Sequence, residues 1–364
     1  MITLKDLCDK GSSNIAQKDI ENNNGEYPIY GASGLIKKVD FYKQSSPYIA
    51  IVKDGAGVGR VMKLPAMSSV IGTMQYIIPN KGVNVDYLAH ALESMNLAKY
   101  HSGATIPHIY FKDYCKELLP EHSKAEQEHI AATLSKIDSL ITARREQLAK
   151  LDELVKSRFI EMFGNVRDNE KNWEKVSLKS VAEVRGRVGW KGYKKDDLRE
   201  SGPFVLGATH LTESGCIDLS SPVYLSREKY EESPEIMLQK NDLIFTQRGN
   251  TIGKVGLLEN DIGEATINPC VLILRPLTIN PIYFKTYFIL DETKSDMWSL
   301  NAGSAQPMIT QKGIGEYMLM LPPLELQEQF ATFVKQTDKS KFEIQKSLEK
   351  LETLKKALMQ KYFG

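Results

Sequence analysis

Two stretches of the chain carry apolar residues in alternating steps of four and three, the seam pattern of a helix packed along its length against another helix. The first seam runs Ile130, Leu134, Ile137, Ile141, Arg144, Leu148, Leu151, Val155, Arg158 and Met162. The second runs Phe330, Val334, Thr337, Lys341, Ile344, Leu348, Leu351, Lys355, Leu358 and Tyr362. Neither stretch contains proline or glycine before a closing Phe-Gly. Each follows a proline-bearing lead-in, LPEHSKAEQ or LPPLELQEQ, where chain geometry disfavours helix continuation. The spacing predicts helices over 127–163 and 327–363, each about 57 Å long at 1.5 Å per residue. Core helices of two separate globular domains are the alternative, but such length with one apolar stripe is hard to bury in a small domain. Pairing of the two helices with each other is expected.

The two stretches are copies. Residues 127–164 align without a gap on 327–364, and the polar matches Gln127/Gln327, Glu128/Glu328, Asp138/Asp338, Lys150/Lys350 and Lys156/Lys356 are not demanded by an apolar stripe. The duplication extends upstream. HSGATIPHI (101–109) corresponds to NAGSAQPMI (301–309), and YIAIVKDGAGVGRV (48–61) to DLIFTQRGNTIGKV (242–255), which shares Gly55/Gly249, Gly59/Gly253 and Val61/Val255. Short β-branched and aromatic runs such as SPYIAIV, MQYIIP, DLIFTQ and CVLILRP, bounded by Gly, Pro and Asn, read as strands. Segments 85–101 and 281–300 read as helices between the strands and the Gly-x-x-x-Pro loop. The fold class is therefore α/β in the mixed, α+β-like sense: a module of strands and helices with partly antiparallel sheets, followed by one long helix, repeated once. The boundaries expected are 1–120 for the first module, 121–166 for its helix, 167–321 for the second module and 322–364 for its helix.

This order of motifs resembles the specificity subunits of Type I restriction-modification enzymes over essentially the whole chain. In the second half a strand followed by Arg-Gly-x-x-x-Gly-Lys-Val (248–255), the Gly-x-x-x-Pro loop (303–307) and PPLELQEQ occur together in the order the family leads one to expect. The first half departs from it, with Asp54 in place of the arginine and a longer stretch between Pro120 and Gln127. The resemblance implies two target-recognition domains held apart by two helices that form an antiparallel coiled coil, a pseudo-two-fold internal repeat. It also implies double-stranded DNA as ligand, two methyltransferase subunits as partners, and restriction (motor-nuclease) subunits where the system has them. S-adenosylmethionine, ATP and Mg²⁺ are then expected on those partners and none on this chain.

The residues offer no competing chemistry. DGAGVGR (54–60) fails as a P-loop because Val61 stands where Ser or Thr is needed, and it lacks the third glycine of a dinucleotide site. Asn268-Pro269-Cys270 is similar to the N-P-P-aromatic signature of amino-methyltransferases but lacks its second proline and aromatic residue, which leaves little room for a fused methyltransferase remnant. The six histidines show no metal-ligand spacing, and the four cysteines form no C-x-x-C pair, which fits a reducing cytoplasm. The N-terminus has no apolar core of a secretion signal, and no run approaches a membrane span, so neither export nor membrane insertion is expected.

A net charge of +1 is low for a nucleic-acid binder, so DNA affinity has to come from local patches or from partner subunits. Side chains that bond phosphates or read base edges, presented on loops, are the candidates. The best cluster is VRGRVGWKGYKK (184–195), with Arg185, Arg187, Lys191, Lys194 and Lys195, no acid, and Trp190 and Tyr193 interleaved. Arg248 and Lys254 flank the second glycine turn, Lys53 and Arg60 occupy the first, and Thr209 and His210 in GATHL are candidate base readers. No catalytic or metal-ligating residue is assigned. GEYPIYGASGLIKKVDFY shows no evident counterpart near 200–230, so the halves are expected to read different bases and the target to be non-palindromic. A non-catalytic coiled-coil adaptor without sequence-dependent DNA binding is the alternative function.

Overall fold

The computed structural model describes residues 1–103, 106–187, 193–300 and 307–364. The chain divides into two compact units, Met1–Glu146 with Gln345–Gly364, and Gln147–Ile344. The two long helices run from Lys124 to Phe163 and from Leu324 to Phe363, so each unit contains parts of both. The first helix starts three residues before the expected position because Ser123 and Glu126 form a capping box: the Glu126 carboxylate accepts from the Ser123 amide at 2.7 Å. No helix among the described residues is long and apolar enough to cross a membrane.

In the first unit a four-stranded antiparallel sheet has the order Cys8–Ser12, Met74–Pro79, Tyr48–Val52, Val61–Leu64. A three-stranded sheet sets Tyr27–Gly31 between Gly34–Val39 and, in parallel, Ser69–Val70. The strand YIAIV is buried at every position because it has a core on each face. Side chains alternate across it: Ile49 and Ile51 meet the helix Val85–Ser94 and the start of the first long helix, while Tyr48, Ala50 and Val52 meet the three-stranded sheet.

The second unit repeats this topology. Its four-stranded sheet is Ala182–Arg185, Val271–Pro276, Leu243–Thr246, Val255–Leu257, and its three-stranded sheet sets Leu198–Leu206 between Tyr224–Leu225 and, in parallel, Ala265–Ile267. Leu243 and Phe245 face one core, and Ile244 faces the other. The expected helices over 85–101 and 281–300 are each broken. The first stops at Ser94, and Asn96 takes a left-handed φ of 47°, which asparagine tolerates better than most residues, before a 3₁₀ turn Leu97–Tyr100. The second divides at Leu290, extended at ψ 144°, into Pro281–Ile289 and Asp291–Ser299.

Every expected seam position is buried or half-buried. In the first unit Phe363 packs on Tyr87 and His122, Lys355 reaches Asp138 at 2.7 Å, and Arg145 reaches Glu352 at 2.6 Å. Numbers rise along one helix as they fall along the other, so the segments are antiparallel. The second unit shows the same sense, with Lys341 on Asp152 at 2.6 Å and Phe159 and Phe163 meeting Phe330 edge to face. Burial alone would lower the Lys341 and Lys355 ammonium groups, but the carboxylates beside them outweigh it and hold both above the ordinary lysine value.

The repeated glutamines join each long helix to its module. Gln127 accepts from the Asn84 amide at 3.2 Å and donates to the His122 carbonyl; Gln327 accepts from the Asn280 amide at 2.9 Å and donates to the Pro322 carbonyl. Asn84 and Asn280 are the N-caps of the module helices, each accepting two backbone amides. Gln327 is 1% exposed, so Gln327→Ala strands a half-buried amide and a buried carbonyl, at up to about 1–3 kcal/mol each. Denaturant titration is expected to show that loss in the second unit, whereas exposed Gln329→Ala changes stability by about 0.5 kcal/mol or less. Burial would raise the Glu93 carboxyl, but His90 and Lys355 beside it hold it below 4.5. Its contribution to stability is therefore complete above about pH 4.5 and lost as the pH falls through the lowered value. Glu93→Gln is expected to flatten the acid limb of the first unit's stability profile; an unchanged limb contradicts this.

Candidate nucleic-acid interface

Three loops meet at the same place in each unit. In the first, strand Tyr48–Val52 leads into the glycine turn 54–60 and returns as Val61–Leu64. Gly59 has a φ of +86°, and a Cβ there would lie 2.5 Å from the Ala98 amide nitrogen, so both conformation and close approach require glycine. The chain from the proline of the Gly-x-x-x-Pro motif onward crosses this turn. Gly55 donates to the Pro107 carbonyl at 3.0 Å and Ile109 to the Lys53 carbonyl at 2.9 Å; in the second unit Gly249 donates to Pro307 at 3.1 Å and Ile309 to Gln247 at 2.9 Å.

The third loop follows the strand that pairs in parallel. Ile71 donates to the Tyr30 carbonyl and Asn268 to the Leu206 carbonyl, which makes GASGL (31–35) the counterpart of GATHL (207–211). The expectation that the GASGL region lacks a counterpart near 200–230 is thus corrected. The copies here are 176 residues apart (207 − 31), against 194 at the glycine turns (249 − 55) and 200 at the long helices (327 − 127), so an alignment at either of those offsets passes over them. Ser33 and Thr209 occupy equivalent, exposed positions, and Ser33 went unnoticed in the sequence for the same reason.

Arg60 is exposed, and its guanidinium donates to the Ala32 carbonyl at 2.8 Å, tying the glycine turn to the third loop. Lys53 lies 3.4 Å from Asp54. In the second unit Arg248 donates to the Met308 sulphur at 3.2 Å, and Lys254 pairs with Glu213 at 3.2 Å; hydrogen bonding from Lys254, with Lys294 nearby, holds the Glu213 carboxyl below its ordinary value. The structure therefore brings Lys53 and Arg60, and separately Arg248, Lys254 and Thr209, to equivalent loop clusters.

The basic run 184–195 is more divided. Arg185 pairs with Glu183. Arg187 donates to the Ile267 carbonyl at 3.2 Å and lies 5.7 Å from the Tyr193 ring centroid. Burial lowers its pKa and raises that of Tyr193. At the corresponding place in the first unit Ser13 donates to the Val70 carbonyl at 2.6 Å, so Arg187 fills a tethering position. Lys194 and Lys195 are exposed. Lys191 and Trp190 lie outside the described residues. His210 is buried: its Nδ1 accepts from the Gly207 amide at 3.0 Å, and its Nε2 donates to the Ser221 carbonyl at 3.1 Å. Asn268 of the Asn-Pro-Cys run accepts from the Cys270 amide and closes a local turn. Among the described residues His90, Glu93 and Asp138 alone group as metal-ligating side chains, and the Lys355 ammonium sits against both carboxylates.

Each unit thus repeats one module, with polar loops clustered at the same strand ends. The family model for the Type I restriction modification DNA specificity domain matches residues 1–153 and again 170–356, and the chain belongs to that family, the specificity subunits of type I restriction-modification systems. It is 25% identical to the Type I restriction enzyme MjaVIII specificity subunit of Methanocaldococcus jannaschii over 85% of this chain and 77% of that one. It is 23% identical to a putative type I specificity subunit of Mycoplasma pneumoniae over 90% and 86%. The crystal structure of a type I restriction-modification S subunit from M. genitalium shares the fold, with a TM-score of 0.64 at 17% identity, covering 100% of this chain and 95% of that one. The chain's role is thus DNA sequence specificity within a restriction-modification system, and its family is one of specificity rather than catalytic subunits.

Lys194→Ala with Lys195→Ala is expected to weaken binding to target and non-target DNA alike and to lower the salt slope by about 0.9 per lost phosphate contact. Arg187→Ala is expected to lower the stability of the second unit as well, by about 1–3 kcal/mol, because the Ile267 carbonyl loses its partner. An unchanged slope in the double lysine variant assigns that patch to solvent.

Proposed function

We propose that the two modules read the two parts of one bipartite, asymmetric DNA site, and that the chain directs two methyltransferase subunits, with restriction subunits where present, to that site in the cytoplasm. The observation that carries this reading is the pair of equivalent loop clusters, alike in backbone and different in the side chains they present. A shared frame carrying different readers is what recognition of two unlike half-sites requires. S-adenosylmethionine chemistry, and ATP with Mg²⁺ for cleavage, belong in this proposal to the partners; the purified chain is expected to transfer no methyl group alone. Lys53, Arg60, Arg248, Lys254 and Thr209 are proposed as DNA contacts on the loop clusters, with Lys194 and Lys195 beside the second.

In this reading the long helices act as a spacer. One inserted heptad keeps the seam in phase and adds up to about 10 Å, roughly three base pairs of B-DNA. Methylation-site mapping of a heptad-insertion variant of the first helix, expressed with its methyltransferase, is expected to show an altered gap between half-sites with the same bases in each. Altered bases with a constant gap place specificity in the helices instead. An adaptor role predicts no sequence-dependent binding by the assembled complex, and that result would remove the proposal.

A further inference from the structure

Where the glycine turn crosses the Gly-x-x-x-Pro loop, the two units share a backbone and differ in chemistry. Residues 54 and 108 form a bridge in the first unit, and 248 and 308 form the same bridge in the second. The first carries an aspartate and a histidine, the second an arginine and a methionine. His108 Nδ1 lies 2.7 Å from one Asp54 carboxylate oxygen, and the Lys53 ammonium lies 3.4 Å from the other. The His108 amide and carbonyl are both bonded to Ser102, at 2.8 and 2.9 Å, so the base of the imidazole is held on both sides.

These contacts settle what the ring can offer. A carboxylate accepts, so Nδ1 carries the proton toward Asp54, and in the neutral ring Nε2 is then the acceptor. Nε2 has no partner among the described residues, and the side chain is 38% exposed, with the ring stacked near Tyr110. Asp54, which phosphates would repel if it stood alone in a DNA-facing loop, has its charge engaged by Lys53 and His108. At the equivalent crossing of the second unit Arg248 supplies only donors.

We propose that His108 is a base-reading residue of the first module, positioned by Asp54, and that its Nε2 accepts from the exocyclic amino group of an adenine or a cytosine. This rests on the proposal that the module reads one half-site. In the major groove these amino groups are the hydrogen-bond donors that bases present, and arginine in the second module suits the acceptors of guanine. The crossing therefore reads opposite polarities in the two modules. In the sequence His108 carries no signal, because a lone loop histidine is distinguished only by a carboxylate partner that lies far from it along the chain.

The test is methylation-site mapping of the whole chain co-expressed with its methyltransferase. His108→Ala is expected to reduce discrimination roughly tenfold to a hundredfold at one position of one half-site, leaving the other half-site intact as an internal control of folding. Asp54→Asn is expected to relax the same position to a smaller degree. Unchanged discrimination at every position in His108→Ala overturns the proposal. So does a uniform loss on target and non-target DNA with a salt slope lower by about 0.9, which marks a phosphate contact. If His108→Ala abolishes methylation altogether, Asp54→Asn decides: relaxation confined to one position supports the proposal, and unchanged discrimination overturns it. A wild-type complex that methylates without sequence preference removes the half-site reading itself, a result distinct from any of these.

Discussion

The fold depends on the apolar seam of its two long helices, which neither module can cover alone. Each helix leaves its own module with a buried glutamine fixed to that module's helix cap. The far end of the other helix then completes the core: Phe363 seats against Tyr87 in the first unit, and Phe163 against Tyr283 in the second. Tyr87 and Tyr283 follow their N-caps at the same distance, so the docking site is part of the repeated design. Removing a phenylalanine of this kind from a closed core costs about 3–5 kcal/mol, a large share of a domain's stability. Duplication is thus a structural requirement of each unit, quite apart from its use in recognition.

Polar residues within the seam refine this arrangement. Lys341 and Lys355 interrupt the apolar run, and each finds carboxylates from more than one segment. Half-buried ion pairs of this sort add little net stability but penalise misaligned pairings, in which an ammonium group would be desolvated without a partner. Within each unit the module holds its loops by main-chain hydrogen bonds that are the same in both. At the crossings the side chains differ: Asp54 and His108 stand in one unit and Arg248 and Met308 in the other.

Much of this was legible in the sequence because periodicity and repetition are local properties. The seam positions, the glycine turns and the principal strands all follow from patterns within a few tens of residues. The role of Gln127 and Gln327 did not, although their repetition was visible, because a buried side-chain amide is defined by what it bonds. The GASGL and GATHL loops escaped because the copies are spaced unevenly there. Asn96 and Leu290 break the helices expected over 85–101 and 281–300, because the backbone conformation of a single residue is not written in the residue pattern around it. A basic run reads alike whether its members are solvated, as Lys194 and Lys195 are, or bound to a carbonyl, as Arg187 is. His210 looked like a reader for the same reason, and both of its ring nitrogens are engaged within the fold.

The central claim is that sequence specificity resides in the modules and that the paired helices serve them as a frame. The most direct measurement is methylation-site mapping of a chain in which the first module is replaced by a second copy of the other, expressed with its methyltransferase. The account predicts that the half-site of the first module disappears from the methylated sequence and that of the second appears twice. Retention of the original two half-sites would contradict it.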